Sequence, residues 1–293
     1  MPIREEHSKF FEQHGYAIVD DFLTADELKA AQEELRVVLP GWVEYCEGST
    51  SKLPTARLRR DRHPQIHFPY PQKALNHITL HPDLRAFAQD KAGGVEMYCE
   101  QSHLTAKHQG HPADMEQAHH CDYGNHTLAY PPKRPEYWQT AYLVYYTDVT
   151  ISHAPTAVCS WEHYPEAVRW PAFYTREQRA EVYDNEVKVT VPAGGLLIYS
   201  MRTFHRGTKF LNEGGRLGHF ITYAPAAWKW LGIVGWSNRA IDPSFGKWVA
   251  TATPEERTLL GFPPPGHDYW DEETIEGVSK RYPDMDMAPY LST

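Results

Sequence analysis

Between residues 95 and 223 the chain runs as short β-type stretches broken by turns, and this alternation constrains its fold more than any other feature. Val95–Cys99, Gln139–Tyr146, Glu186–Val191, Leu196–Tyr199 and Leu217–Tyr223 draw heavily on β-branched and aromatic residues. Pro192-Ala193-Gly194-Gly195 forms the turn between two of them. Short strands joined by tight turns pair antiparallel, as a sandwich or barrel, whereas parallel strands need a long crossover. Two stretches inside this region, Pro165–Arg169 and Thr175–Tyr183, read as helical.

Ahead of the β region the pattern is helical. Ile3–His14 is anchored by Phe10 and Phe11 and stopped by Gly15, and Tyr16–Val19 is a short strand. Thr24 with Glu27 three residues on makes a capping box. The helix it opens carries Leu28, Ala31, Leu35 and Val38 at helical spacing and ends at Pro40-Gly41. Residues 42–75 read as irregular and hold the basic run from Arg57 to Arg62. Beyond residue 226 the chain is Trp-rich, then Pro-rich at Phe262-Pro263-Pro264-Pro265-Gly266. No linker is long enough to divide it. The expectation is one domain over 1–293: a mostly helical part (1–92), a β core (93–225) and an irregular or helical extension (226–293).

Composition removes several function classes. A net charge of −9 argues against a general nucleic-acid binder. No run approaches the roughly 18 apolar residues a membrane helix needs, so no membrane partner is expected. The stretch Met1–Tyr16 has acids and a histidine where a secretion signal needs an apolar core, so a cytoplasmic location is expected. The four cysteines form no CxxC pair and no disulfide framework. Histidine stands out at 17 residues, ample material for a metal site.

The chemistry concentrates in three places. His120-Cys121-Asp122 sets an imidazole and a carboxylate two residues apart, on one side of a strand. His205 follows 83 residues after Asp122. One histidine and one carboxylate at a strand end, with a distant second histidine, make the 2-His-1-carboxylate triad of non-haem iron oxygenases. Arg216, 11 residues after His205, opens the run Arg216–Tyr223, whose even-numbered positions share a face. A guanidinium there can grip a carboxylate through two parallel hydrogen bonds.

With these residues in this order, the chain resembles the phytanoyl-CoA dioxygenase (PhyH-like) family of Fe(II)/2-oxoglutarate oxygenases. The segment from Phe10 to Leu23 resembles the family's opening. By that resemblance His120, Asp122 and His205 fall on its metal ligands and Arg216 on its oxoglutarate-binding arginine. Trp138 stands where a tryptophan touching the co-substrate can occur, and Lys107 resembles a lysine shortly before the His-x-Asp motif. The small hydroxyl residue often two positions after the distal histidine is Gly207 here, which leaves Thr208 to supply the hydroxyl. The family's Pro-Gly-Ser-His turn is replaced by Ser160–His163.

The resemblance implies a mainly β protein with flanking helices, its core a double-stranded β-helix (jelly roll, cupin-like). It implies Fe(II), 2-oxoglutarate as co-substrate, and dioxygen. The implied reaction hydroxylates an unactivated C–H bond of a small organic molecule, releasing succinate and carbon dioxide. Asp122 points to hydroxylation or a related oxidation, because halogenating relatives replace that carboxylate with a small residue. The same oxidant can instead give desaturation, epimerisation or cyclisation. A non-catalytic cupin-like metal or ligand binder is the alternative of another class. A small-molecule substrate and a monomer or homodimer complete the expectation. The His-rich segment from His108 to His119 reads as either a lid or an exposed loop.

Overall fold

The computed structural model describes residues 3–48, 65–68, 70, 73–164, 172–228, 230, 243–259 and 261–291. The expected helix Pro165–Arg169 and the basic run Arg57–Arg62 lie outside them. Eleven strands are described: β1 (Tyr16–Val19), β2 (Gln65–His67), β3 (Met97–His108), β4 (His119–His120), β5 (Thr140–Tyr145), β6 (Thr156–Cys159), β7 (Phe173–Tyr174), β8 (Glu186–Lys188), β9 (Leu196–Ser200), β10 (His205–Gly207) and β11 (Gly215–Pro225). They form two antiparallel sheets, one ordered β1-β9-β5-β11-β3-β2 and the other β7-β4-β10-β6-β8.

The six-stranded sheet is covered on both faces. Ala141, Leu143, Tyr145, Leu197 and Tyr199 point into an inner cluster shared with Val158 of the second sheet. Their neighbours Tyr142, Val144, Leu196, Ile198 and Ile221 point the other way, into a cluster with the helices. That is why Thr140–Tyr145 is buried along its whole length and reads as a continuous apolar run rather than an alternation.

The outer cover is α1 (Glu5–His14), α2 (Ala25–Val38), α3 (Trp42–Cys46), α4 (Lys73–Thr79) and α5 (Pro82–Lys91). α2 starts as its sequence dictates: Thr24 Oγ1 accepts from Glu27 N–H at 3.3 Å, and the Glu27 carboxylate accepts from Thr24 N–H at 2.9 Å. α1 is stopped by Gly15 at φ +78°, a left-handed turn that swings the chain into β1. A Cβ there overlaps the Trp161 ring and lies 2.6 Å from Thr203 Oγ1, so glycine is needed for space as well as for its backbone angle.

Several elements differ from the sequence reading. β3 extends to His108, far beyond Val95–Cys99, because its inward positions are polar and hide the strand period. Glu186–Val191 shortens to β8, with Val191 held only by an isolated bridge to Val149. Within Thr175–Tyr183 the helix is α7 (Ala180–Asp184), preceded by a turn. α3 and α4 occupy ground read as irregular. Among the described residues beyond β11 are the helices Pro243–Thr251, Pro254–Leu259 and Glu272–Arg281. Trp230, Tyr269, Trp270, Val278 and Tyr282 from this region belong to the inner cluster, so the extension is part of the core. Among the described residues no helix is long and apolar enough to cross a membrane.

Candidate metal centre

β10 brings the distal histidine to the proximal one, with His205 directly opposite His120 on β4. β4 ends there, and Asp122 is the first residue of a helical turn, φ −66° and ψ −25°, that leads into α6 (Tyr123–His126). The i, i+2 relation between His120 and Asp122 is therefore set by a strand end meeting a helix start, not by a continuous strand. His120, Asp122 and His205 each offer a ligand atom, and these atoms lie within 4.8 Å of one another. Cys121 between them turns away and is fully buried, its thiol directed at Arg202 O.

The hydrogen bonds around the imidazoles fix which nitrogen is free. Nδ1 of His120 is 2.9 Å from Ala118 O and Nδ1 of His205 is 3.0 Å from Thr203 O. A carbonyl only accepts, so each ring carries a proton on Nδ1 and turns its Nε2 inward. Asp122 Oδ2 lies 3.4 Å from His205 Nε2, and Oδ1 lies 3.7 Å from His120 Nε2. Burial, helped by the charge of His205, pushes His120 down to about 4, so it is neutral at pH 7. Burial alone raises the Asp122 carboxyl, but His205, His126 and His120 outweigh it and hold it well below the carboxylate range. Burial alone lowers His205, but Asp122 outweighs it and raises the ring, whose Nε2 proton a metal would displace; two Nε2 atoms and one carboxylate oxygen are then the donor set a divalent first-row metal takes.

A second His/Glu group tests the specificity of this pattern. Among the described residues Glu27, His77 and His81 also have ligand atoms within 4.8 Å. There, however, Asp83 N–H donates to His81 Nδ1 at 3.2 Å. That puts the neutral ring's proton on Nε2, the nitrogen facing Glu27 at 3.6 Å. This arrangement caps α5 and turns Nε2–H toward Glu27; it does not present a lone pair to an ion.

A cationic end lies in the same interior. Arg216 on β11 is 4% exposed, stands over the Tyr145 ring at 5.6 Å, and donates from Nη1 to Ala154 O. Its Nε is buried with no hydrogen-bond partner. Lys107 on β3 is paired directly across from it in register, is also buried, and donates to Thr208 O. Asp114 lies 3.5 Å from Lys107 Nζ. Thr208 itself is buried and spends its hydroxyl proton on Pro155 O at 2.7 Å.

The sequence profile of the phytanoyl-CoA dioxygenase (PhyH) family matches residues 11–218 of the 293. This chain belongs to that family. The PhyH chain is also similar in fold to solved structures at low identity. EctD from S. alaskensis, in its apo form, aligns with TM-score 0.59 and 17% identity over 77% of this chain and 78% of its own. The alpha-ketoglutarate-dependent carbocyclase SnoK from nogalamycin biosynthesis aligns with TM-score 0.57 and 18% identity over 76% and 84%. HygX from Streptomyces hygroscopicus, solved with nickel and 2-oxoglutarate, aligns with TM-score 0.54 and 16% identity over 76% and 87%. No curated protein sequence matches the chain.

In this PhyH chain the structure brings together His120, Asp122 and His205, and separately Arg216, Lys107 and Thr208. It does not bring Trp138 to either group. Trp138 has the parity of Tyr142 and Val144, so it packs on the helix side with Phe11, and its indole N–H donates to Lys133 O at 2.6 Å. His119 is fully buried and is spent on Glu186, its Nε2 2.8 Å from that carboxylate. Segment 109–118 is pinned: Asp114 accepts from Phe210 N–H, and Gln117 bonds Gly207 through both backbone and side chain. One residue of the site went unread in the sequence. Tyr199 donates its hydroxyl to Asp122 Oδ2 at 3.0 Å and sets its ring 4.5 Å from that of His205. Its strand was legible, and the parity shared with Leu197 was the signal available for its inward direction.

Proposed function

We propose that the protein is an Fe(II)- and 2-oxoglutarate-dependent oxygenase that hydroxylates a small organic molecule, with succinate and carbon dioxide as co-products. The observation that carries this reading is the convergence of two inward-turned Nε2 atoms and the Asp122 carboxylate, all within 4.8 Å of one another. Iron held there would supply the activation of dioxygen, with 2-oxoglutarate as the source of two electrons.

The chain's own residues do the rest. His120, Asp122 and His205 would hold the metal through two imidazole nitrogens and one carboxylate oxygen. Arg216 and Lys107 bind the far carboxylate of 2-oxoglutarate, and the partnerless Arg216 Nε is the buried donor that such a carboxylate satisfies. The Thr208 hydroxyl, already donating to Pro155 O, is at most an acceptor there. Tyr199 fixes the orientation of Asp122. The two sheets, read here as the halves of a double-stranded β-helix, keep bulk water from the site.

We read residues 1–293 as one oxygenase domain, cytoplasmic, monomeric or homodimeric, without nucleic-acid or membrane partners. The desaturation, epimerisation and cyclisation alternatives share this site, and analysis of the product separates them from hydroxylation.

The deciding experiment is anaerobic addition of Fe(II) and 2-oxoglutarate to the metal-free protein. The visible charge-transfer band of a bidentate keto-acid chelate is expected, with co-substrate affinity reduced at least about 100-fold in Arg216→Ala and iron binding kept. A wild-type protein that binds iron but gives no band overturns the reading and leaves a metal-binding protein of the same fold.

A further inference from the structure

Asp122 opens α6 but does not cap it. A residue at this position ordinarily spends its side-chain oxygen on the free N–H groups of the first turn, and aspartate is among the best at doing so. Here the Asp122 side chain makes no capping bond. Its carbonyl accepts from Asn125 N–H and His126 N–H at 3.1 Å each, and its carboxylate is left to Tyr199 and the inward-turned imidazoles. α6 is four residues long, too short to hold itself, so its support comes from outside.

That support is the C-terminal helix. Arg281, the last residue of helix Glu272–Arg281, is 5% exposed and reaches the far end of α6. Its Nη2 donates to Gly124 O at 2.9 Å and to Thr127 O at 2.6 Å. Its Nη1 donates to Thr127 Oγ1 at 2.9 Å and to Ala129 O at 3.2 Å. A guanidinium at a helix C-terminus satisfies carbonyls that the helix itself cannot, and it complements the helix dipole. A buried guanidinium is costly as mere filler, and these four bonds all fall on one turn and its exit. The same helix reaches the segment that carries the other ligand. Glu273 accepts from Arg202 Nη2 at 3.2 Å, three residues before His205, and from Lys133 N–H. Arg202 O in turn accepts from the Cys121 thiol, and Met201 O accepts from Tyr123 N–H at 3.3 Å. The two ligand-bearing segments are thus tied to each other and to one helix, and that helix lies beyond residue 218, where the family profile ends.

We propose that Arg281 is a positioning residue of the metal centre: by securing α6 from its C-terminal end, it releases the Asp122 carboxylate from capping and keeps it turned to the ion. The proposal deepens the oxygenase reading and rests on the metal centre of that reading, not on its co-substrate.

The test is an anaerobic Fe(II) titration of the full chain, well below Tm, where the protein is folded and Kd reports the ligand geometry rather than global stability. Arg281→Met is expected to weaken Fe(II) binding by about 10-fold. Arg281→Lys is expected to fall between it and wild type, since one ammonium cannot serve four acceptors as a planar fork does. Leu84→Ala is the control, a fully buried side chain of α5 in the cluster between sheet and helices. It is expected to lower Tm and leave the Fe(II) Kd unchanged. A wild-type Kd in Arg281→Met, whatever its Tm, overturns the proposal and leaves Arg281 a purely structural residue. So does a Kd in Leu84→Ala weakened as much as in Arg281→Met. Arg281→Gln replaces Arg281→Met if that variant does not fold, with the same two outcomes. Failure of the wild type to bind Fe(II) is a separate result: it overturns the metal centre, and both readings with it. Iron binding without the keto-acid band overturns the oxygenase reading alone.

Discussion

At the scale of single residues, the centre works through hydrogen bonds one atom removed from the ligands. Tyr199 holds Asp122 Oδ2 at 3.0 Å while the two imidazoles are held by backbone carbonyls. Partners of this kind change metal affinity by about 10- to 100-fold when removed. Tyr199→Phe keeps the ring against His205 and deletes only the hydroxyl. Fe(II) affinity is expected to fall by about 10-fold with the fold intact. Unchanged affinity in an anaerobic iron titration rejects this role. Lys107 gives a second expectation. Burial, helped by the charge of Arg216, pushes its ammonium down to about 8 against the pull of Asp114. Below that pH Lys107 is charged and adds to Arg216; above it the lysine is neutral. The 2-oxoglutarate Kd is therefore expected to be flat up to about pH 8 and to weaken by about 10-fold or more above it. Lys107→Met should bind more weakly throughout and lose the alkaline step.

At the scale of elements, what the sequence could reveal depended on which face each element spent on chemistry. α2 and β1 were readable almost to the residue, because capping, apolar spacing and a glycine stop all agree there. β3 was not, since Gln101, His103, Thr105 and Lys107 line its inward face opposite Thr222, Phe220, Gly218 and Arg216, and a polar inner face erases the apolar signal. β4 and β10 are too short, at two and three residues, to carry any period; they were legible only through their histidines. The role of helix Glu272–Arg281 was invisible for another reason: its partners are distant in sequence. Arg281 donates to the carbonyls of Gly124, Thr127 and Ala129, and Tyr282 donates to Leu128 O, so this helix clamps the chain just after Asp122. Gly277 lies in its buried face, where a Cβ meets three ring atoms of Tyr130, none further than 2.7 Å. Gly→Ala within a helix ordinarily gains up to about 1 kcal/mol. Here overpacking costs about 1–3 kcal/mol against a ring already buried, so the steric effect wins. Gly277→Ala is expected to lower Tm; a raised Tm shows that the helix moves freely against Tyr130.

At the scale of the whole molecule, the antiparallel class followed from the short alternating runs, and the sequence singled out two histidines and a carboxylate that the fold brings within 4.8 Å of one another. The layer between sheet and helices was not legible, because it is organised around a polar residue. His219 is fully buried on the helix side of β11, with Ser102, Thr79 and Tyr70 hydroxyls at 2.8, 3.1 and 3.2 Å from Nε2 and the Tyr146 hydroxyl at 2.8 Å from Nδ1. Burial, with the nearby charge of His103, pushes its imidazole down to about 3. His108, buried and donating from Nε2 to Pro40 O, is pushed by burial to about 4. Both rings bind protons at about 6.5 in the unfolded chain. The unfolded state thus gains protons below that pH while the folded state does not, so stability is full above about pH 6.5 and falls as pH drops, by about 1.4 kcal/mol per pH unit for each ring. Glu186, held at about 2 by Arg206 and His119 against burial, adds its own loss only at lower pH. Between about pH 6 and 5 the histidines dominate. Urea midpoints across that window are expected to fall steadily for wild type. His219→Gln should be less stable at pH 7 yet lose stability with a shallower slope, by one proton's worth. Taking the difference between the two proteins cancels the titration of His120, Asp122 and His205, which both share. Equal slopes overturn the assignment of His219 as an acid trigger, whatever the variant's stability at pH 7.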